Sequence, residues 1–184
     1  MRSLSSKRGV LAAVIGIGIL GATVGAVAAS GASHGSAAIV DASGASVGWA
    51  RFTEDTEGRL HVNVKVDGLV AGLHGIHLHN VASCIAPAFT SAGSHHNPLG
   101  DLHGLDDPPG AHAGDLPNLI VNVEGRGHLD AVSDRATLSA GPVSLDDGDG
   151  SAVIIHAAED DQEAATATGN SGARIACGVI EFED

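Results

Sequence analysis

Basic residues are scarce in this sequence. Its 184 residues include nine Lys and Arg against 22 Asp and Glu, which gives a formal net charge of −13 at pH 7. The first 29 residues hold three of the basic residues and none of the acidic ones, so residues 30–184 carry a net charge of −16. Nucleic acids and anionic membranes bind through clustered Lys and Arg. Neither is therefore expected as a partner of this part of the chain.

Cysteine is nearly absent as well, with only Cys84 and Cys177 in the whole sequence. An oxidising compartment favours their pairing, and the bridge would close a loop of 93 residues. By loop-closure entropy, such a bridge contributes on the order of 4–5 kcal/mol to stability. Two buried free thiols are the alternative.

The first 29 residues have the pattern of an export segment. Arg2, Lys7 and Arg8 precede an uncharged apolar run over residues 9–29, and Ala26-Val27-Ala28 matches a signal-peptidase site. We predict cleavage near residue 28 or 29. The run is long enough to span a bilayer, so an uncleaved signal anchor is the alternative and the only predicted membrane contact. Either way we expect the domain to be exported: secreted, periplasmic or attached to the cell envelope.

Beyond the export segment, no run of residues predicts a helix. Residues 30–48 are small and polar and predict a linker, and residues 49–184 predict one domain. From residue 60 to 67, apolar and polar side chains alternate with period two, which indicates a half-buried strand. Residues 118–132 predict two strands joined by a turn at Glu124–Gly127. Many short strands and 26 glycines predict an antiparallel sandwich or barrel.

The stretch "HGIHLHN" carries three of the eleven histidines. Side chains at i and i+2 of a strand share a face, so His77 and His79 are expected to point the same way. His156 follows a short apolar run and can face inward beside them. Together with a histidine from elsewhere they form an all-imidazole set, which suits copper better than magnesium or calcium.

The segment from residue 80 to 118 is rich in Gly, Pro and His and has no strand pattern. A loop of this length in a compact domain is usually functional. Imidazole and carboxylate donors suit tetrahedral zinc, and the loop supplies four of them: His95, His103, His112 and Asp115.

Five segments in series give the chain a clear family resemblance. It resembles the Cu/Zn superoxide dismutases in "HGIHLHN", "TSAGSHHNPLGDLHG", "HAGDLPN", "IIHAAEDD" and "GNSGARIACGVIEF". These cover nearly all of the chain after the export segment, in the family's order and spacing. The resemblance implies an all-β fold: a Greek-key antiparallel barrel or immunoglobulin-like sandwich of about eight strands, with long metal-binding and electrostatic loops.

The resemblance also implies a role for each site residue, with one copper and one zinc ion per subunit. The implied copper ligands are His77, His79, His95 and His156, and the implied zinc ligands are His95, His103, His112 and Asp115. His95 bridges the two ions, and the carboxylate of Asp160 joins a copper ligand to a zinc ligand. His74 is structural, Arg174 holds the anionic substrate, and Cys84 pairs with Cys177.

The implied activity is dismutation of superoxide to O₂ and H₂O₂ by copper cycling between two oxidation states, with Arg174 and His95 as the catalytic residues. An exported protein of the same fold that buffers or delivers copper and zinc is the alternative. The segment before Arg174 is shorter than in the animal enzymes, and Ala167 stands where a lysine is often found. The position of Cys84 resembles the bacterial members. The oligomeric state stays open, with a homodimer among the possibilities.

Overall fold

The computed structural model describes residues 33–106, 110–163 and 166–183. Within these ranges the chain forms ten β-strands and one short 3-10 turn, Thr90–Ala92, and no helix there is long and apolar enough to cross a membrane. The predicted export segment 1–29 lies outside the described residues. The strands are β1 His34–Asp41, β2 Ser46–Glu54, β3 Leu60–Val66, β4 Gly72–His74, β5 Ile76–His79, β6 Leu119–Val121, β7 Gly127–Ser133, β8 Ala152–His156, β9 Arg174–Val179 and β10 Glu181–Glu183.

The strands form one antiparallel sheet that curls into a nearly closed barrel. Their order is β4-β6-β7-β3-β2-β1-β9-β8-β5, and β10 also pairs with β1. The two ends of this order, β4 and β5, are separated in the chain by Gly75 alone, so one residue links the two edges of the barrel. Gly75 separates β4 from β5 and Ile180 separates β9 from β10, which accounts for ten strands where about eight were expected. The predicted fold class is confirmed.

The barrel interior holds the main hydrophobic core, and β3 contributes to it as its alternation predicts. Leu60, Val62, Val64 and Val66 are buried, whereas the intervening side chains face outward. Complete burial of such side chains contributes roughly 1.5–3 kcal/mol each relative to exposure. The predicted hairpin is also present, with β6 and β7 paired across the turn.

One end of β2 is tied to a distant loop by the carboxylate of Glu54. Its Oε2 accepts hydrogen bonds from the backbone N–H of Leu138 at 2.6 Å and of Ser139 at 2.7 Å, and its Oε1 accepts one from the Ser139 hydroxyl at 2.6 Å. Partial burial raises the pKa of Glu54, but these hydrogen bonds outweigh it and hold the pKa below its ordinary value of 4.5.

The prediction of a linker over residues 30–48 is wrong for most of that range. His34–Asp41 form β1, which lies between β2 and β9, and β2 already begins at Ser46. Small residues obscured the strand because they resemble a linker in composition. One of them is needed for close packing, because a Cβ on Gly48 would clash with the backbone of Lys65.

The face of β5 and β8 that points away from the main core carries the polar residues. Ile76 and Leu78 belong to the core, so His77 and His79 face the opposite side. Both histidines have no exposed surface, because the loop between β5 and β6 and the loop between β8 and β9 cover them. The barrel thus positions a buried histidine cluster beneath two loops.

Candidate metal centre

Two neighbouring strands and one loop build the first histidine cluster. His77 and His79 come from β5, and His156 ends β8, where an irregularity in the pairing with β9 follows Ile155. His95 joins from the β5–β6 loop through an isolated bridge with His79. One ring nitrogen from each of these four histidines lies within 4.8 Å of the others.

In each of these four rings, one buried nitrogen has no hydrogen-bond partner. These atoms are His77 Nδ1, His79 Nε2, His95 Nε2 and His156 Nε2. Leaving a buried polar atom unpaired is costly, and four of them in one place form a nitrogen donor set for a metal ion. The copper-type set that was predicted from the sequence is therefore assembled by the fold.

The other ring nitrogens of this cluster are held by hydrogen bonds. Nδ1 of His79 donates to the carbonyl of Gly93 at 3.0 Å, and Nδ1 of His156 donates to the carbonyl of Gly172 at 3.1 Å. In His77 the arrangement is reversed, with Nε2 bonded to a carboxylate. Each contact fixes the tautomer and leaves the unpaired nitrogen free to bind a metal.

A second cluster shares His95 with the first. Its other members are His103, His112 and Asp115, all buried. Nδ1 of His95 lies 3.0 Å from Asp115 Oδ1 and 3.3 Å from Nδ1 of His112. Nδ1 of His103 lies 3.1 Å from Asp115 Oδ2 without a hydrogen bond to it. His95 therefore presents Nε2 to one cluster and Nδ1 to the other.

Asp160 connects the two clusters through one histidine of each. Its Oδ2 accepts a hydrogen bond from His77 Nε2 at 2.5 Å, and its Oδ1 accepts one from His103 Nε2 at 3.0 Å. The backbone N–H of Gln162 and the hydroxyl of Ser171 also lie at hydrogen-bond distance, 2.7 and 3.2 Å. One carboxylate thus contacts a histidine of each cluster.

Burial keeps the first cluster neutral. It is the largest cause that lowers the pKa of His77 to about 3, of His79 to about 2 and of His156 to about 4. Burial also lowers the pKa of His95. Neutral imidazole is the form that binds metal ions, so this cluster is ready to bind at neutral pH.

The second cluster combines charges of both signs. Burial alone lowers the pKa of His103, but its contacts with Asp115 and Asp160 outweigh burial and raise the pKa to about 9. Burial raises the pKa of both carboxyl groups, yet their contacts with His103 and with the neighbouring histidines outweigh it and hold both far below the ordinary range. Two ionised carboxylates therefore lie against the histidines of this cluster.

A cleft of about 390 Å³ opens onto both clusters. Its lining includes Arg174, whose guanidinium Nη1 donates to the carbonyl of Phe89 at 2.7 Å and Nη2 to the carbonyl of Gly93 at 2.6 Å. The other described lining residues are uncharged or histidine: His79, Ser94, His95, Asn97, His112, His156, Ala167, Thr168 and Gly172. Arg174 is thus the one fixed positive charge among the described residues that line the cleft, in a protein whose net charge is negative.

The predicted disulfide is confirmed. Cys84 and Cys177 are bonded, with their Cα atoms 5.7 Å apart. Cys177 lies on β9, three residues after Arg174, and Cys84 begins the segment whose carbonyls hold that arginine. The bridge therefore ties the loop beside the cleft to the barrel.

The other five histidines lie outside both clusters. Both ring nitrogens of His74 lie at hydrogen-bond distance from backbone carbonyls, those of His156 at 2.7 Å and Val70 at 2.8 Å, which fits the predicted structural role. His34, His61 and His128 are exposed. His96 is buried beside His95, and its Nε2 belongs to neither cluster.

Sequence reasoning missed the backbone groups that hold the site in place. Asp115 Oδ2 accepts hydrogen bonds from the N–H of Gly104 and of His112, both at 3.0 Å. Gly104 has a φ of +104°, and a Cβ there would lie 2.4 Å from the carbonyl oxygen of Gln162. A backbone N–H does not depend on the side chain, so the sequence does not reveal which residues donate in this way. Only the glycine at position 104 could have indicated this contact.

The donors fit the two ions that the sequence predicts. Four unpaired imidazole nitrogens suit copper, and three imidazoles with a carboxylate suit zinc. Magnesium and calcium prefer oxygen ligands and therefore do not match the all-nitrogen cluster.

Comparisons with known proteins agree with this geometry. Residues 46–180 match the family model described as copper/zinc superoxide dismutase (SODC). The chain is 38% identical over 144 residues to the superoxide dismutase-like protein YojM of Bacillus subtilis (strain 168), covering 77% of this chain and 73% of the relative. It is 37% identical over 146 residues to superoxide dismutase [Cu-Zn] 2 of Aquifex aeolicus (strain VF5), covering 78% and 84%.

Solved structures support the same assignment. One is a double variant of a SOD-like protein from Bacillus subtilis, in which a tyrosine and a proline are each replaced by histidine. It is 39% identical to this chain and has a TM-score of 0.73, covering 78% of this chain and 94% of the other. The chain belongs to the copper/zinc superoxide dismutase family.

Proposed function

We propose that this protein dismutates superoxide to O₂ and H₂O₂ with one copper and one zinc ion per chain. Copper, when bound, supplies the one-electron oxidation and reduction that convert two superoxide anions and two protons into O₂ and H₂O₂. The observation that carries the proposal is the sharing of His95, which presents an unpaired Nε2 to an all-histidine cluster and Nδ1 to a mixed cluster. His77, His79 and His156 complete the copper site.

The second cluster is proposed to hold zinc, which is not redox-active and therefore has a structural and orienting role. His103, His112 and Asp115 complete this site beside His95. Through Asp160, the same loop also orients His77. The zinc site thereby fixes the direction of two histidines of the copper site.

Arg174 is proposed to attract and hold the anionic substrate. The chain carries a strong negative charge overall, which repels superoxide from most of its surface. Arg174 places a positive charge in a cleft that contains no described acidic side chain, and a local field of this kind can steer anions. A storage or delivery protein has no need for an arginine at this position.

His95 is proposed to handle a proton in addition to its role as a ligand. Its Nε2 belongs to the ring that lines the cleft, and this nitrogen has no protein partner. It can hold a proton and donate it to reduced substrate in the cleft. Nδ1, on the opposite side of the ring, faces Asp115 and the proposed zinc site, so the ring keeps its orientation while Nε2 gains or loses a proton.

The names of the relatives make direct measurement necessary. The relative from Aquifex aeolicus is named a superoxide dismutase, whereas that from Bacillus subtilis is named only superoxide dismutase-like. The test is to load the protein with copper and zinc and follow superoxide decay by stopped-flow spectroscopy. We expect decay well above that caused by an equal amount of chelated copper, and loss of this excess in His156→Ala. A wild-type rate equal to that of chelated copper contradicts the proposal and leaves metal buffering.

We also propose that the protein is exported, as its N-terminal sequence predicts. A disulfide between Cys84 and Cys177 is stable in oxidising compartments and rare in the cytosol. N-terminal sequencing of the protein recovered outside the cytoplasm distinguishes cleavage near residue 28 or 29 from a retained anchor. Recovery of the full-length chain from the cytosol contradicts export.

A further inference from the structure

The orientation of Arg174 depends on two backbone carbonyls of one short segment. Its side chain has many rotamers, and a guanidinium is directed only where its donors find acceptors. The acceptors are the carbonyls of Phe89 and Gly93, at 2.7 and 2.6 Å. Any residue that fixes these carbonyls therefore fixes the charge at the mouth of the cleft.

Phe89 is fixed by a small core of its own. Its side chain has no exposed surface and packs outside the barrel interior, in a cluster with four other buried residues: Ala92, Ala152, Ile154 and Cys177. Cys84 packs against the same cluster. The ring is thus held between the disulfide and the outer face of β8.

The backbone of Phe89 has an uncommon conformation. Its φ is 52° and its ψ is 23°, in the left-handed region that bulky residues rarely occupy. Such strain persists only where the surroundings enforce it, and it is concentrated at functional sites. Here the conformation directs the carbonyl of Phe89 to two donors, Nη1 of Arg174 and the N–H of Ala92 at 3.2 Å.

We propose that Phe89 is a positioning residue for Arg174: burial of its ring holds the strained backbone whose carbonyl orients the guanidinium toward the cleft. This role rests on the proposed function of Arg174 as the substrate-attracting residue. Phe89 does not line the cleft, so it acts through the arginine and does not contact the substrate.

The test uses phenylglyoxal, a reagent that modifies arginine, on the full-length protein loaded with copper and zinc. Peptide mass spectrometry gives the modification rate of Arg174 relative to that of Arg51, which is exposed on β2 and serves as an internal reference. The variants are Phe89→Ala and Phe89→Leu. The matched control is Phe52→Ala, because Phe52 is equally buried but lies in the main core.

We expect the relative modification rate of Arg174 to rise about tenfold in Phe89→Ala, the factor that corresponds to loss of one hydrogen bond by a charged donor. Phe89→Leu is expected to give about a threefold rise, since it keeps part of the buried volume. If Phe89→Ala does not fold, the leucine variant decides. Rates equal to wild type, or an equal rise in Phe52→Ala, overturn the proposal. Because this measurement does not depend on turnover, it stays decisive even if the wild type fails to consume superoxide.

Discussion

The carboxylate of Asp160 gives the sharpest prediction about the metal centre. It is 1% exposed, and each of its two oxygens accepts a hydrogen bond from one histidine, Oδ2 from His77 and Oδ1 from His103. Asparagine has nearly the same shape but only one oxygen, so one histidine must face an NH₂ group and lose its acceptor. Loss of such a partner typically weakens metal binding 10- to 100-fold.

We therefore expect Asp160→Asn to bind copper or zinc about 10- to 100-fold more weakly than the wild type. Competition with chelators of known affinity, followed by metal analysis, measures this for each ion. The matched control is Asp161→Asn, which removes the same charge from the next residue. Asp161 accepts a hydrogen bond from Asn170 at 2.7 Å and none from a histidine. Wild-type affinity in Asp160→Asn, or equal weakening in the control, refutes the proposed link between the clusters.

Three further predictions concern the cleft, the disulfide and Glu54. Arg174→Ala is expected to lower the superoxide rate at least about tenfold and to flatten its salt dependence, with metal content unchanged; loss of copper would make the arginine structural. Replacing Cys84 and Cys177 by serine should lower the free energy of unfolding by about 4–5 kcal/mol in urea titrations, and a change below about 1 kcal/mol contradicts this. Glu54→Gln should lower the free energy of unfolding by about 1–3 kcal/mol at pH 7. The same substitution at the exposed Glu57 is the control and should not have this effect. Because the pKa of Glu54 is lowered on folding, its contribution to the free energy of unfolding is present above pH 4.5 and is lost as pH falls through the lowered value. A stability difference between the wild type and Glu54→Gln that persists at low pH contradicts this.

Strand periodicity was sufficient to predict part of the site. Because side chains alternate across a strand, His77 and His79 had to share a face, and the face of β5 that points away from the main core carries both. Donor chemistry, and then the family resemblance, indicated His95, His103 and His112 within a loop that has no periodicity. Their convergence depends on the path of the loop, which local sequence does not determine.

The parts that sequence reasoning missed depend on backbone geometry or on close packing. The composition of β1 is also typical of a linker, because Gly and Ala allow close strand packing and also occur in linkers. The side chains of Phe89 and Gly93 do not indicate that their backbone carbonyls orient Arg174, yet both carbonyls accept hydrogen bonds from it. Burial of His96 likewise follows from the tertiary fold rather than from its neighbours in sequence.

We propose that His95 joins two metal sites into one redox centre. Crystals of the copper- and zinc-loaded protein, measured at wavelengths on both sides of the copper and zinc absorption edges, test it most directly. We predict one copper peak at Nε2 of His95 and one zinc peak at its Nδ1. A single metal position, or metal bound to His96 in place of His95, contradicts the account.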